Sequence, residues 1–108
     1  MKTLLKFLVL GIGVTLASTA AVREVLEVGQ KEKQFTAESL QVTVGDTVKF
    51  TNEDPFFHNI FSLSDAKSFD LGSFPKGDSR DVTFDQAGIV EVECAIHPNM
   101  RMTIEVTN

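Results

Sequence analysis

Only one cysteine and two histidines occur in the 108 residues. A single thiol cannot close a disulfide within the chain, so this is not a disulfide scaffold. The same scarcity excludes the C-x-x-C-H attachment of a c-type haem. It also leaves a structural zinc site one Cys or His short. Neither an HExxH motif nor a glycine-rich phosphate loop is present. Basic residues are scarce too: ten Lys and Arg stand against fifteen Asp and Glu, a net charge of −5. Nucleic acid and anionic membrane both call for a basic patch, and this balance disfavours them as partners.

Long apolar runs are also lacking. The run from Phe7 to Ala17 is about half of the ~20 residues that a spanning helix needs, and Gly11 and Gly13 interrupt it. Lys2 and Lys6 precede it, and the small residues Ser18-Thr19-Ala20-Ala21 follow. Basic start, short apolar run and small-residue end predict a secretory signal peptide over residues 1–20. The competing reading is an uncleaved membrane anchor. Without Lys2 and Lys6, eight bases face fifteen acids, so the exported chain, residues 21–108, carries −7. It is expected in the periplasm, with no membrane span. Cys94 is far from the N-terminus, so no thiol is placed for lipid attachment.

A lone cysteine in an exported protein needs an explanation, because oxidising compartments consume free thiols. It can be buried and inert, paired with another molecule, or bound to a metal. Its neighbours favour the third. Cys94-Ala95-Ile96-His97-Pro98-Asn99-Met100 sets a thiol, an imidazole and a thioether at C-x2-H-x2-M spacing. These soft and borderline donors suit copper. His58 can complete a His2Cys set with a weak axial Met. Taken singly, His58 reads as a hydrogen-bonded histidine beside Phe56 and Phe57, and Met100 and Cys94 read as core filler. The weight lies in the combination.

Catalytic zinc is the poorer reading, because no carboxylate is placed as its base. A thiol protease is poorer still. Cys94 and His97 are three positions apart at an inward-facing strand end, without a third group to orient the pair.

The rest of the chain reads as one all-β domain. Leu40 to Val44 alternates with period two and ends at Gly45-Asp46, a hairpin turn signal that Val48 and Phe50 continue. A strand is expected over Val25 to Val28, with Phe35 in the core near the next. Another is expected from His58 to Leu63, entered through Asn52-Glu53-Asp54-Pro55, and a short one around Val82 and Phe84. Val90, Val92 and Cys94 share one face and Glu91 and Glu93 the other. Met102, Ile104 and Val106 face in; Arg101, Thr103 and Glu105 face out. Ser64 to Ser73 lacks a period and reads as a loop or short helical turn. Six or seven such strands predict an antiparallel β-sandwich. His97 and Met100 then fall in a loop before a last strand that begins near Arg101.

Over its whole exported length the chain resembles the small blue-copper proteins, the cupredoxins, and most of all the plastocyanin and amicyanin group. The likeness rests on Val44-Gly45-Asp46-Thr47-Val48-Lys49-Phe50-Thr51-Asn52, on His58-Asn59-Ile60-Phe61, and on the loop from Cys94 to Met100, which has the amicyanin spacing. The resemblance implies a Greek-key version of the sandwich and one copper ion per chain. It implies His58, Cys94 and His97 as equatorial ligands and Met100 as the long axial one. It gives Asn59 the task of tying the two ligand loops together by hydrogen bonds. Phe57 and Ile96 stand where relatives often carry proline.

The implied function is electron transfer by Cu(II)/Cu(I) cycling, not enzymatic catalysis. The chain would act as a monomer that meets redox proteins such as a c-type cytochrome or an amine dehydrogenase. His97 would be the exit for electrons, ringed by an apolar patch of Phe57 and Pro98. Glu53 and Asp54 would steer a cationic partner, unless they form only a solvated turn. The rival function is a copper carrier or buffer without a redox partner. A further alternative is an adhesion-like sandwich in which the donor set is a coincidence.

Overall fold

A computed structural model describes residues 25–108. The signal-peptide expectation over residues 1–20 lies outside the described residues. All the described elements are β-strands: β1 Val25–Lys31, β2 Gln34–Phe35, β3 Ser39–Thr43, β4 Thr47–Asn52, β5 His58–Ser64, β6 Lys67–Phe74, β7 Ser79–Thr83, β8 Gly88–Cys94 and β9 His97–Thr107. They form two sheets, one ordered β3-β9-β8-β5-β6 and the other β2-β1-β4-β7.

The core fills the space between the sheets, and strand parity decides what enters it. In β8, Val90, Val92 and Cys94 are buried while Glu91 and Glu93 look outward, as the alternation requires. β9 pairs with it antiparallel, Val90 opposite Ile104 and Val92 opposite Met102, so both strands deliver apolar side chains to one face. The second sheet contributes Val28, Val48, Phe50 and Val82. Phe50 is fully buried; its ring meets Phe35 edge-on with centroids 6.4 Å apart and Phe69 at 6.3 Å. Each such fully buried side chain contributes about 1.5–3 kcal/mol.

The sandwich is as expected, but its pairing is mixed. β3 runs parallel to β9, and β1 runs parallel to β4. Each parallel pair joins strands that are not consecutive in the chain, as parallel neighbours must, because a short turn can only reverse direction.

Three other expectations give way to the structure. The Gly45-Asp46 turn is not a hairpin but a corner that passes the chain from β3 in one sheet to β4 in the other. Gly45 takes φ 101°, open to glycine at no steric cost. The buried carboxylate of Asp46 accepts the Thr43 N–H at 2.9 Å. The segment from Ser64 to Ser73 is no loop. After a two-residue turn the chain folds back as β6, with Leu63 opposite Ser68 and Phe61 opposite Asp70. Its signal is faint because β6 is an edge strand: Phe69 and Leu71 lean inward between the exposed Ser68, Asp70 and Gly72. Finally, β9 begins at His97 rather than near Arg101, since Cys94 pairs directly with His97 across the Ala95-Ile96 turn.

Candidate metal centre

The same ladder assembles the donor set. His58 opens β5 and Cys94 closes β8, and these strands are antiparallel neighbours, with Cys94 opposite Ile60. His97 opens β9 opposite Cys94, where a register shift between Glu93 and Cys94 ends the regular pairing. One end of one sheet thus gathers three donors. Cys94 Sγ lies 3.6 Å from His58 Nδ1 and 3.6 Å from His97 Nδ1, and the three ligand atoms all lie within 4.8 Å of one another. His58 and Cys94 are buried, and His97 is half-buried. Met100 follows on β9 and is 1% exposed.

Asn59 ties these strands through its main chain. Its N–H points at Cys94 Sγ at 3.5 Å, and its carbonyl accepts the Ala95 N–H at 2.9 Å. The Phe56 ring sits against both histidines, with centroids 5.4 Å from each. Lys33 Nζ lies over the same ring, 5.7 Å from its centroid.

Asp54 is the residue that sequence reading misplaced. It is 3% exposed, so it forms neither a solvated turn nor a steering charge. Its Oδ2 lies 2.7 Å from His58 Nε2. Burial alone would raise its carboxyl pKa, but hydrogen bonds from His58 and from the Lys33 and Glu32 N–H groups outweigh that and hold it below its usual value. The only hint in the sequence was an acid four positions before a histidine, in a stretch that reads as an ordinary turn. Glu53, by contrast, is exposed.

Burial also lowers the His97 pKa, and repulsion from His58 and Lys33 adds to this against the opposing charge of Asp54. A neutral imidazole is the form that binds metal.

One thiol and two imidazole Nδ1 atoms, converging at an apolar sandwich end with a buried thioether nearby in sequence, fit copper. Thiolate and thioether are soft, imidazole is borderline, and a trigonal His2Cys set with a weak axial Met is the blue-copper arrangement. Outside the centre, Phe57 and Ile96 are 53% and 55% exposed. Ile96, Pro98 and His97 line a shallow depression together with Glu32 and Lys33.

Residues 22–107 match the family described as copper binding proteins, plastocyanin/azurin family. The methylamine utilization protein MauL of Methylorubrum extorquens is 29% identical over 109 residues, covering 98% of this chain and 96% of MauL. Among solved structures, a point variant of amicyanin in its Cu(I) form superposes with a TM-score of 0.71 at 25% identity, over 76% of this chain and 81% of that one. A copper-containing nitrite reductase of Thermus scotoductus gives a TM-score of 0.72 at 26% identity; 77% of this chain is covered, but only 22% of the enzyme. A purple cupredoxin from Nitrosopumilus maritimus shares the fold, with a TM-score of 0.67 at 23% identity over 76% of this chain and 99% of its own.

Proposed function

Because the chain belongs to the plastocyanin/azurin family of copper-binding proteins, we propose that it is an exported single-electron carrier, with one copper ion held by His58, Cys94, His97 and Met100. The observation that carries this reading is the convergence of one ligand atom each from His58, Cys94 and His97 within 4.8 Å, with Cys94 Sγ 3.6 Å from both Nδ1 atoms. Bound copper supplies the one-electron Cu(II)/Cu(I) couple.

The chain's own residues do the rest. Cys94 and His58 are fixed by the β5–β8 ladder, so the donors need not move when the charge of the site changes. Phe56, Ile60 and the surrounding core keep water away, which disfavours added charge and tunes the potential. His97, half-buried beside the exposed Ile96 and Pro98, is the group through which an electron leaves. An apolar rim of this kind suits small, transient redox contacts. Asn59 ties the ligand strands by its main-chain bonds.

The protein works in the periplasm as a carrier, not as an enzyme. The nitrite reductase likeness is confined to 22% of that enzyme. The relative named for methylamine utilization supports an amine dehydrogenase as one redox partner; a c-type cytochrome is the other class of partner expected.

Voltammetry of the copper-loaded protein tests the assignment. A reversible one-electron wave with copper retained in both states is expected. Release of copper on reduction would contradict it and favour a metal carrier.

A further inference from the structure

We propose that Asp54 is a positioning residue for the copper centre: its carboxylate holds the His58 ring with Nδ1 towards Cys94 and biases the site towards Cu(II). This rests on His58 being a copper ligand, the reading given above, and extends it to a residue outside the donor set.

Asp54 is gripped from several sides. Its Oδ1 accepts the Glu32 N–H at 2.6 Å and its Oδ2 the Lys33 N–H at 3.0 Å. Its own N–H is bound by Asn52 Oδ1 at 2.8 Å. The buried Asn52 is in turn fixed through Nδ2 to the carbonyls of Phe56 and Phe74, at 2.8 and 2.9 Å. Glu32 and Lys33 adopt φ 55° and 61°, a left-handed conformation that residues with a Cβ rarely take. The β1–β2 turn is thus bent so that two successive N–H groups point at one carboxylate.

Two consequences follow from chemistry alone. An ionised carboxylate only accepts hydrogen bonds. The 2.7 Å contact therefore places the ring proton on His58 Nε2. In the neutral ring that leaves the lone pair on Nδ1, the atom 3.6 Å from Cys94 Sγ. Partners of this kind orient a ligating imidazole and raise its basicity. The second consequence is electrostatic. A fixed negative charge, buried beside the ligand and poorly screened, stabilises the ion of higher charge.

A structural explanation competes: Asp54 could serve only to cap the β1–β2 turn. The two roles separate by experiment. In copper-loaded Asp54→Asn, the Cu(II) affinity should fall by about 10- to 100-fold, as for other outer partners of metal ligands, and by more than the Cu(I) affinity. The reduction potential then rises. In a turn cap alone, thermal stability falls and the potential stays where it was, which would overturn the proposal. Asn cannot accept from both N–H groups and His58 as a carboxylate does, so this variant could fail to fold.

A second measurement on the metal-free wild-type protein keeps the proposal open to refutation. Long-range proton–nitrogen NMR should find neutral His58 as the Nε2–H tautomer. Finding the Nδ1–H tautomer would overturn the proposal. That result does not depend on copper. Failure of the electron-transfer reading shows instead as an absent or irreversible redox wave in the wild type.

Discussion

Asn59 donates its backbone N–H to Cys94 Sγ at 3.5 Å, and receives the Ala95 N–H on its carbonyl at 2.9 Å. The thiol is therefore part of the β5–β8 ladder, not an appendage of a loop. Its distance from His58 is set by strand register, which the packed core enforces. A donor set held this way keeps its geometry as long as the sandwich keeps its register, and stability and redox function are linked through that ladder.

Phe50→Ala should cost about 3–5 kcal/mol, as large aromatic truncations in cores do. Phe50 is fully buried against Phe35 and Phe69, and a small domain has only about 5–15 kcal/mol in total. Denaturant unfolding of the metal-free protein checks this. A loss below about 1 kcal/mol would mean that the two sheets do not share one core.

Asp46→Ala should lower stability by about 1–3 kcal/mol, since it leaves the Thr43 N–H without the carboxylate it donates to at 2.9 Å. The β3–β4 corner lies apart from the donor set, so the visible spectrum of the copper-loaded variant should match the wild type. A shifted spectrum would show that the corner and the copper centre are coupled.

Strong acid should withdraw the stability that Asp54 contributes. Its carboxyl pKa is held below the ordinary 3.8, lower in the folded than in the unfolded chain. The stability it contributes is present above about pH 4 and is lost as pH falls through the lowered folded value. Circular dichroism of metal-free protein should show Asp54→Asn less stable at neutral pH and with a flatter decline below pH 4. Parallel declines in variant and wild type would contradict this.

Ile96→Lys should slow electron exchange between reduced and oxidised copies by about tenfold, equivalent to ~1.4 kcal/mol of barrier, while the potential holds. Ile96 is 55% exposed beside His97, so a charge there adds repulsion at the contact without entering the core. NMR line-broadening in mixed redox samples measures the rate. An unchanged rate would move the electron exit away from His97.

Much of this was legible in the sequence because chemistry-bearing residues are so scarce. With one Cys and two His, His58, Cys94 and His97 were identifiable as a group, and the structure brings them together. The parities of β8 and β9 were equally plain, since Glu91, Glu93 and Glu105 mark the outward face. β6 was less plain: Phe69 and Leu71 alternate with the exposed Ser68, Asp70 and Gly72, but the pattern is short and both side chains are only half-buried on an edge strand. The Gly45-Asp46 turn announced a reversal but not which sheet would receive the next strand. Asp54 was read as surface because only tertiary packing closes the β1–β2 turn over it.

If Cys94 provides a thiolate to copper at this centre, a Cu(II) titration followed by visible absorption will reveal it. An intense blue band is expected that saturates at one copper per chain, bleaches on reduction and is lost in Cys94→Ser. Stoichiometric copper binding by folded protein with no such band, or a band that survives Cys94→Ser, would contradict it.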